Sequence, residues 1–243
     1  MLRNVGGFVK SPTVDRLAVL LKGSKDPYDS YELMDDLHTE YKLNPIYFFL
    51  VAKKNGVYDK NILPENEALQ QLIKTHVGKY SIGLHPSWQC YNNGELLMEE
   101  RDTLQNISCV EIRSSRQHYI KFSLPDTYKK LIQTGITNDY SMGYGSINGF
   151  RASTGSSFLW YDLSEEKITS LRIHPFCFMD ANCYYEQKLS VEESFTELMH
   201  FYDLCKKLTT PLITILHNNF LGTGKEFEGW KELYTKFISQ LQQ

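Results

Sequence analysis

Short apolar runs rich in β-branched and aromatic residues alternate with amphipathic stretches along most of the chain. That alternation predicts βα units around a parallel sheet. In residues 29 to 43 (DSYELMDDLHTEYKL), Leu33, Leu37 and Tyr41 recur at helical spacing and Met34 widens the stripe, which predicts a helix. Residues 124 to 135 (LPDTYKKLIQTG) supply Pro125 for a first turn and Gly135 as a stop. Residues 190 to 208 open on a capping box, Ser190 to Glu193, and a last helix is expected at about 226 to 241. Strands are predicted at 45 to 52, 80 to 84, 109 to 113, 136 to 139, 157 to 162, 168 to 174 and 211 to 216. No internal repeat, low-complexity tract or linker interrupts them, so residues 1 to 243 are expected to form one domain.

In parallel sheets and barrels the loops at the carboxyl ends of the strands build the site. Here those ends read HPSW (85 to 88), SRQHY (115 to 119), DYSMGY (139 to 144), HPFCFMD (174 to 180) and HNN (217 to 219). Four of the seven histidines fall there, whereas His38, His76 and His200 fall in helical stretches. His85 and His118 are each either a metal ligand or an imidazole hydrogen-bonded to a neighbouring loop. Arg116 suits a carboxylate or oxyanion, or buried carbonyls. His217 is a candidate acid, and His174 reads better as a packed core residue. Asp139 and Asp180 are candidate bases or ligands, though strand-end aspartates often cap helices or close Asx-turns. They are also the one strand-end pair available to a glycoside hydrolase, which needs carboxylates about 5–9.5 Å apart. Trp88, Tyr91, Tyr140, Tyr144 and Trp160 suit stacking on sugar rings or the core, and Arg151 suits sugar oxygens or the surface. Asp35 and Asp36 are successive helix positions whose side chains diverge, so they are taken as a solvated face.

Composition narrows the class. With 42% hydrophobic residues and a net charge of −3 from scattered charges, the chain carries a sizeable core and no footprint for nucleic acid. The longest apolar run, at 44 to 52, is short of the ~20 residues that span a bilayer, and the first residues lack a signal-peptide core. A cytoplasmic location is expected. The five cysteines are odd in number and form no CxxC pair, so they are expected to be buried thiols, with Cys177 and Cys183 the more exposed.

The ordered set KDPYDSYELMDDLHTEYKLNPIYFFLVA, IGLHPSW, SRQHYIKFSLPDTYKKLIQTGITNDYSMGY, GFRAST and LITILHNN resembles a bacterial branch of the polysaccharide deacetylases, the NodB-homology fold. The resemblance implies an α/β fold, a distorted, incomplete (β/α) barrel, and hydrolysis of an acetyl group on a saccharide by a divalent metal, commonly zinc. It makes His85 a metal ligand with His118 as second ligand, Arg116 a buttress of the base and His217 the acid. Asp139 would help shape the site, and Trp88, Tyr140, Tyr144 and Arg151 would bind the sugar. Two departures stand out. Gln89 occupies the place of the second histidine of H-x-x-x-H, and the opening MLRNVGGFVKSPT lacks the first strand with its paired aspartates. A sheet without that strand leaves an edge to be covered by another segment or by a second copy in a homodimer. The same departures fit an alternative, a saccharide-binding member of the fold without catalysis.

Overall fold

The computed structural model describes residues 26–241. The expectation about the start of the chain falls on residues 1–25 and lies outside them. In chain order the elements are α1 (Tyr31–Glu40), β1 (Ile46–Phe49), α2 (Glu67–Val77), β2 (Ser81–Leu84), α3 (Gly94–Ser108), β3 (Ser114–Ser115) and α4 (Asp126–Gln133). They continue with β4 (Asn138–Asp139), β5 (Phe158–Asp162), β6 (Lys167–Ile173), β7 (Phe178–Met179), α5 (Val191–Leu208), β8 (Thr214–Ile215) and α6 (Trp230–Gln240). The described residues divide into two compact units: 44–215, and 26–43 together with 216–241.

The larger unit contains a six-stranded sheet of order β1-β2-β3-β4-β6-β5, with a separate β7-β8 pair. All neighbours are parallel except β5 and β6, which form an antiparallel hairpin. Among the described residues the sheet does not close, and the fold is an open, distorted α/β barrel. Val51, Ile73, Leu84, Leu104, Ile112, Leu131, Ile136, Leu171 and Ile173 form the centre of its core. Trp160 belongs there too, packed edge-on against Tyr128 at 5.4 Å, which removes it from the set of sugar-stacking candidates.

The predicted helices are present with shorter ends. The α5 capping box is fully formed: Glu193 N–H donates to Ser190 Oγ (3.2 Å) and Ser190 N–H to Glu193 Oε2 (2.8 Å). Ser190→Ala should lower stability by about 1 kcal/mol, and Ser190→Gly by only a few tenths, in chemical denaturation. The strand expected at 109 to 113 is displaced to Ser114–Ser115. Helix α3 runs on to Ser108 and ends at Cys109 in left-handed backbone (φ 58°). The next residues return the chain to the sheet, and Ile112 buries its side chain while its N–H goes to the Gln105 side chain (3.0 Å). An apolar residue is thus buried without a ladder. Cys109 is exposed at this cap, whereas Cys90, Cys177, Cys183 and Cys205 are buried, which reverses the expectation for Cys177 and Cys183.

In the smaller unit α1 buries Met34, Leu37 and His38, and α6 buries Trp230, Leu233, Tyr234, Phe237 and Ile238. Burial of His38 is compensated by a 2.9 Å hydrogen bond between its Nε2 and the Tyr234 hydroxyl. No helix among the described residues is long and apolar enough to cross a membrane.

Candidate functional site

The ends of three adjacent parallel strands bring the chemistry together. Pairing of Leu84 with Ser115 sets the next residues, His85 and Arg116, side by side. His85 N–H donates to Phe49 O (2.9 Å), Arg116 N–H to Leu84 O (3.0 Å), and His85 Nδ1 lies 2.5 Å from Arg116 O. A carbonyl oxygen only accepts, so Nδ1 of His85 carries the proton and the ring's basic lone pair is on Nε2.

His118 is held in a comparable way by Asp59, which follows β1. Its Nδ1 lies 2.9 Å from Asp59 Oδ1, and the His85 and His118 ring centroids are 4.8 Å apart. The Asp59 side chain is 1% exposed and accepts two more hydrogen bonds, from Trp88 N–H (2.8 Å) and Gln89 Nε2 (3.1 Å). Burial pushes the Asp59 carboxyl up, and the donors Trp88, His118 and Gln89 more than offset that, so its pKa lies below the ordinary value. Gln89, which stands where the resemblance expects a second histidine, therefore belongs to the support of His118. Beneath the same loop, buried Glu100 accepts Ser87 N–H (2.9 Å), and burial raises its pKa.

Deeper in the sheet, the partly buried Arg116 guanidinium lies 4.5 Å over Phe48 and donates through Nε to Tyr140 O (3.3 Å). Phe48 pairs with Gly83 across the strands, and a Cβ at Gly83 would fall 2.5 Å from its ring. The glycine lets the phenyl lie flat on the sheet and carry the cation. Burial lowers the Arg116 pKa to about 10, against the opposing charges of Asp139 and Asp180 and the Tyr140 hydroxyl. Asp139 is fully buried, with Ser115 Oγ (2.9 Å), Ser141 Oγ (2.8 Å) and Ser141 N–H (3.0 Å) donating to it. Burial nevertheless pushes its carboxyl up to about 6. Asp180 is fully buried as well and accepts Ala181 N–H at 2.7 Å. Two carboxyls without solvent-accessible surface do not flank a glycosidic bond, which removes the glycoside-hydrolase pair.

The other candidates separate. His174 is a structural histidine: Nδ1 bonds Ser157 Oγ (2.8 Å), Nε2 bonds Asn138 Oδ1 (2.9 Å), and the ring stacks on Tyr140 at 4.3 Å. Arg151 Nη1 donates to Gly143 O (3.3 Å) while its guanidinium lies 4.5 Å over Phe122. Tyr144 is exposed at the edge of its loop. His217 precedes the turn Asn218–Leu221 in the smaller unit, and its assignment as acid rests on the resemblance. Asp59 was not among the sequence candidates, although the strand-end rule applies to the loop after β1.

Paired imidazoles with the lone pair on Nε2 suit a divalent ion such as zinc as two of its ligands. Asp59 is already an outer partner of His118, an arrangement common behind ligating histidines. Among the described residues, however, no three His, Cys, Asp or Glu side chains gather around one point. These two imidazoles are what the described residues would offer such an ion.

No protein-family model matches the sequence, and no curated protein matches it either. Solved structures do match in fold. A Mycobacterium smegmatis structure assigned as a polysaccharide deacetylase is 10% identical at a TM-score of 0.57, over 85% of this chain and 68% of its own. Puue allantoinase is 11% identical at a TM-score of 0.60, over 86% of this chain and 65% of its own. A Pseudomonas aeruginosa PAO1 structure assigned as a polysaccharide deacetylase is 14% identical at 0.60, over 95% and 71%. At such identities what is shared is the fold: the chain has the open α/β barrel of the polysaccharide deacetylases.

Proposed function

We propose that the protein is a deacetylase-like hydrolase of acetylated saccharides, with His85 and His118 as ligands of a divalent metal, zinc by preference. The observation that carries this reading is the matched tethering of the two imidazoles, His85 by Arg116 O and His118 by Asp59, at adjacent strand ends. The fold neighbours are hydrolases, two of them assigned to polysaccharide deacetylation. When bound, such an ion polarises an acetyl carbonyl and lowers the pKa of water. The chain's own residues hold the imidazoles in register: Arg116 and Asp59 fix the tautomers, and Gln89 and Trp88 N–H fix Asp59. Arg116 and Asp139 keep the strand ends in place from below.

A specific observation favours a second reading, a saccharide-binding protein without catalysis. Gln89 spends its amide on Asp59 and Lys54 O (3.1 Å each), and no third ligand joins the two imidazoles among the described residues. Elemental analysis of the purified protein separates the two. The hydrolase reading expects stoichiometric metal, lost in His85→Ala, together with release of acetate from acetylated oligosaccharides. Metal-free protein that still binds those sugars after chelation supports the second reading and sinks the first.

A further inference from the structure

The loop after β1 carries apolar side chains in contact with water. Val57 is 80% exposed, and Tyr58, Ile62 and Leu63 are exposed beside it in the sequence. Single exposed apolar residues are ordinary, but a run of them on one loop marks a contact surface. Tyr119, exposed on the neighbouring loop, extends the run by meeting Tyr58 at 5.4 Å.

Hydrogen bonds and packing hold the loop in this pose. Asn61 Nδ2 donates to Ala52 O (2.8 Å) and closes the base, while Gly56 N–H donates to Asp59 O (2.8 Å). The Tyr58 ring packs on Trp88 at 4.1 Å, and the Asp59 carboxylate points inward to Trp88 N–H, Gln89 and His118. Val57 is therefore presented outward on a tethered turn.

Charge distinguishes what this surface meets. Between residues 53 and 63 the basic residues are Lys53, Lys54 and Lys60, all exposed, and the one acid, Asp59, is buried. Lys53 pairs with Glu99 of α3 (2.6 Å), but among the described residues neither Lys54 nor Lys60 has an ion pair. In a chain of net charge −3, this loop shows solvent an apolar tip flanked by free ammonium groups. Lysine is depleted from protein–protein interfaces. At an anionic bilayer, by contrast, each nearby lysine is attracted, aliphatic side chains enter the acyl boundary and tyrosine rings sit at headgroup level.

We propose that residues 53–63 form a docking loop for an anionic lipid surface, with Val57 and Ile62 entering the acyl boundary and Lys54 and Lys60 meeting lipid phosphates. Attachment is peripheral and reversible, because a few apolar side chains and two ammonium groups fall far short of a membrane span. Asp59 tethers His118 from the same loop, so docking brings the paired imidazoles towards the headgroups. The inference goes beyond the hydrolase reading and needs neither its metal nor its saccharide.

The test is co-sedimentation of the full chain with vesicles of phosphatidylcholine alone and of phosphatidylcholine mixed with phosphatidylglycerol. The mixed vesicles should bind, and the neutral ones about tenfold more weakly. Val57→Asp should weaken binding to the mixed vesicles by about tenfold, and Lys54→Glu and Lys60→Glu by about fivefold each. Lys207→Glu, in the last turn of α5, makes the same change of net charge elsewhere and should stay within about twofold of the parent. All four positions are exposed, so these variants should melt as the parent does. No binding to mixed vesicles, equal binding to both kinds, or binding indifferent to Val57→Asp overturns the proposal. An equal loss in Lys207→Glu also overturns it, by reducing the effect to overall charge. Failure to bind vesicles together with self-association that Val57→Asp abolishes would assign the loop to a second copy of the chain instead.

Discussion

Asp59→Ala should be among the most damaging single substitutions in the larger unit, lowering stability by about 3 kcal/mol. Three donors converge on this carboxylate, Trp88 N–H, Gln89 Nε2 and His118 Nδ1, in a place where the side chain is 1% exposed. Removing it takes the acceptor from the part-buried Trp88 N–H and His118 Nδ1, while the exposed Gln89 amide keeps Lys54 O, and it unties the HPSW loop from the loop after β1. With this tether of His118 gone, any divalent metal held at the site should bind about 10- to 100-fold more weakly. Asp59→Asn should fall between, since a carbonyl oxygen in the place of Oδ1 still accepts from Trp88 and His118 while the NH2 in the place of Oδ2 opposes Gln89. The folded pKa of Asp59 is depressed, so its contribution is present above the unfolded value of about 3.9 and is lost as pH falls through the folded pKa. Denaturation of parent and Asp59→Ala at neutral pH and near pH 3 should therefore show the gap closing in acid. A gap that is small at neutral pH would mean that the loop is held without the carboxylate.

Much of this arrangement was legible in the chain. Strand-end placement brought His85, Arg116 and His118 to neighbouring loops, and the parallel sheet delivered that placement. Periodicity had less to say about what supports them. Asp59 and Tyr58 sit in residues 50 to 61, a loop with no repeating pattern, and only the rule that strand ends carry the site, applied to β1, would have found them. Glu100 lies inside α3, where nothing in the sequence distinguishes a buried helical carboxylate from a solvated one. The 109 to 113 strand failed because an apolar run is evidence of burial, and burial was achieved by Ile112 in a return segment rather than in a ladder. Trp160 and Tyr140 show the same limit for aromatics. Trp160 faces the core from β5, whereas Tyr140 stacks on the structural His174, and their side of the sheet follows from register rather than composition.

Arg116→Met should cost about 1–2 kcal/mol at pH 8, below the range for a buried ion pair because the guanidinium forms no direct pair with Asp139 and keeps part of its surface. Methionine fills much of the space between Phe48 and Tyr140, so lost packing is a minor part of the effect. The pH-dependent part is the fate of Asp139, fully buried, whose burial is offset first by hydrogen bonds from Ser141 and Ser115 and then by the Arg116 charge. Its folded pKa already lies at about 6, above the unfolded value of about 3.9. A raised carboxyl pKa means the folded state binds the proton more tightly, so stability falls as pH rises from about 4 through the folded pKa. Without Arg116 that pKa moves further up, and the fall becomes steeper and extends above pH 6. The penalty of Arg116→Met should consequently be small at pH 5, where Asp139 is largely protonated in the folded protein, and large at pH 8. Adding Asp139→Asn should recover most of the loss at pH 8 by removing the charge while keeping a group of the same shape between Ser115 and Ser141. Denaturant midpoints of the two single variants and the double variant at both pH values form the cycle that reads this coupling. A penalty equal at pH 5 and pH 8, and untouched by Asp139→Asn, would place the role of Arg116 in its stacking on Phe48 and Tyr140 rather than in its charge.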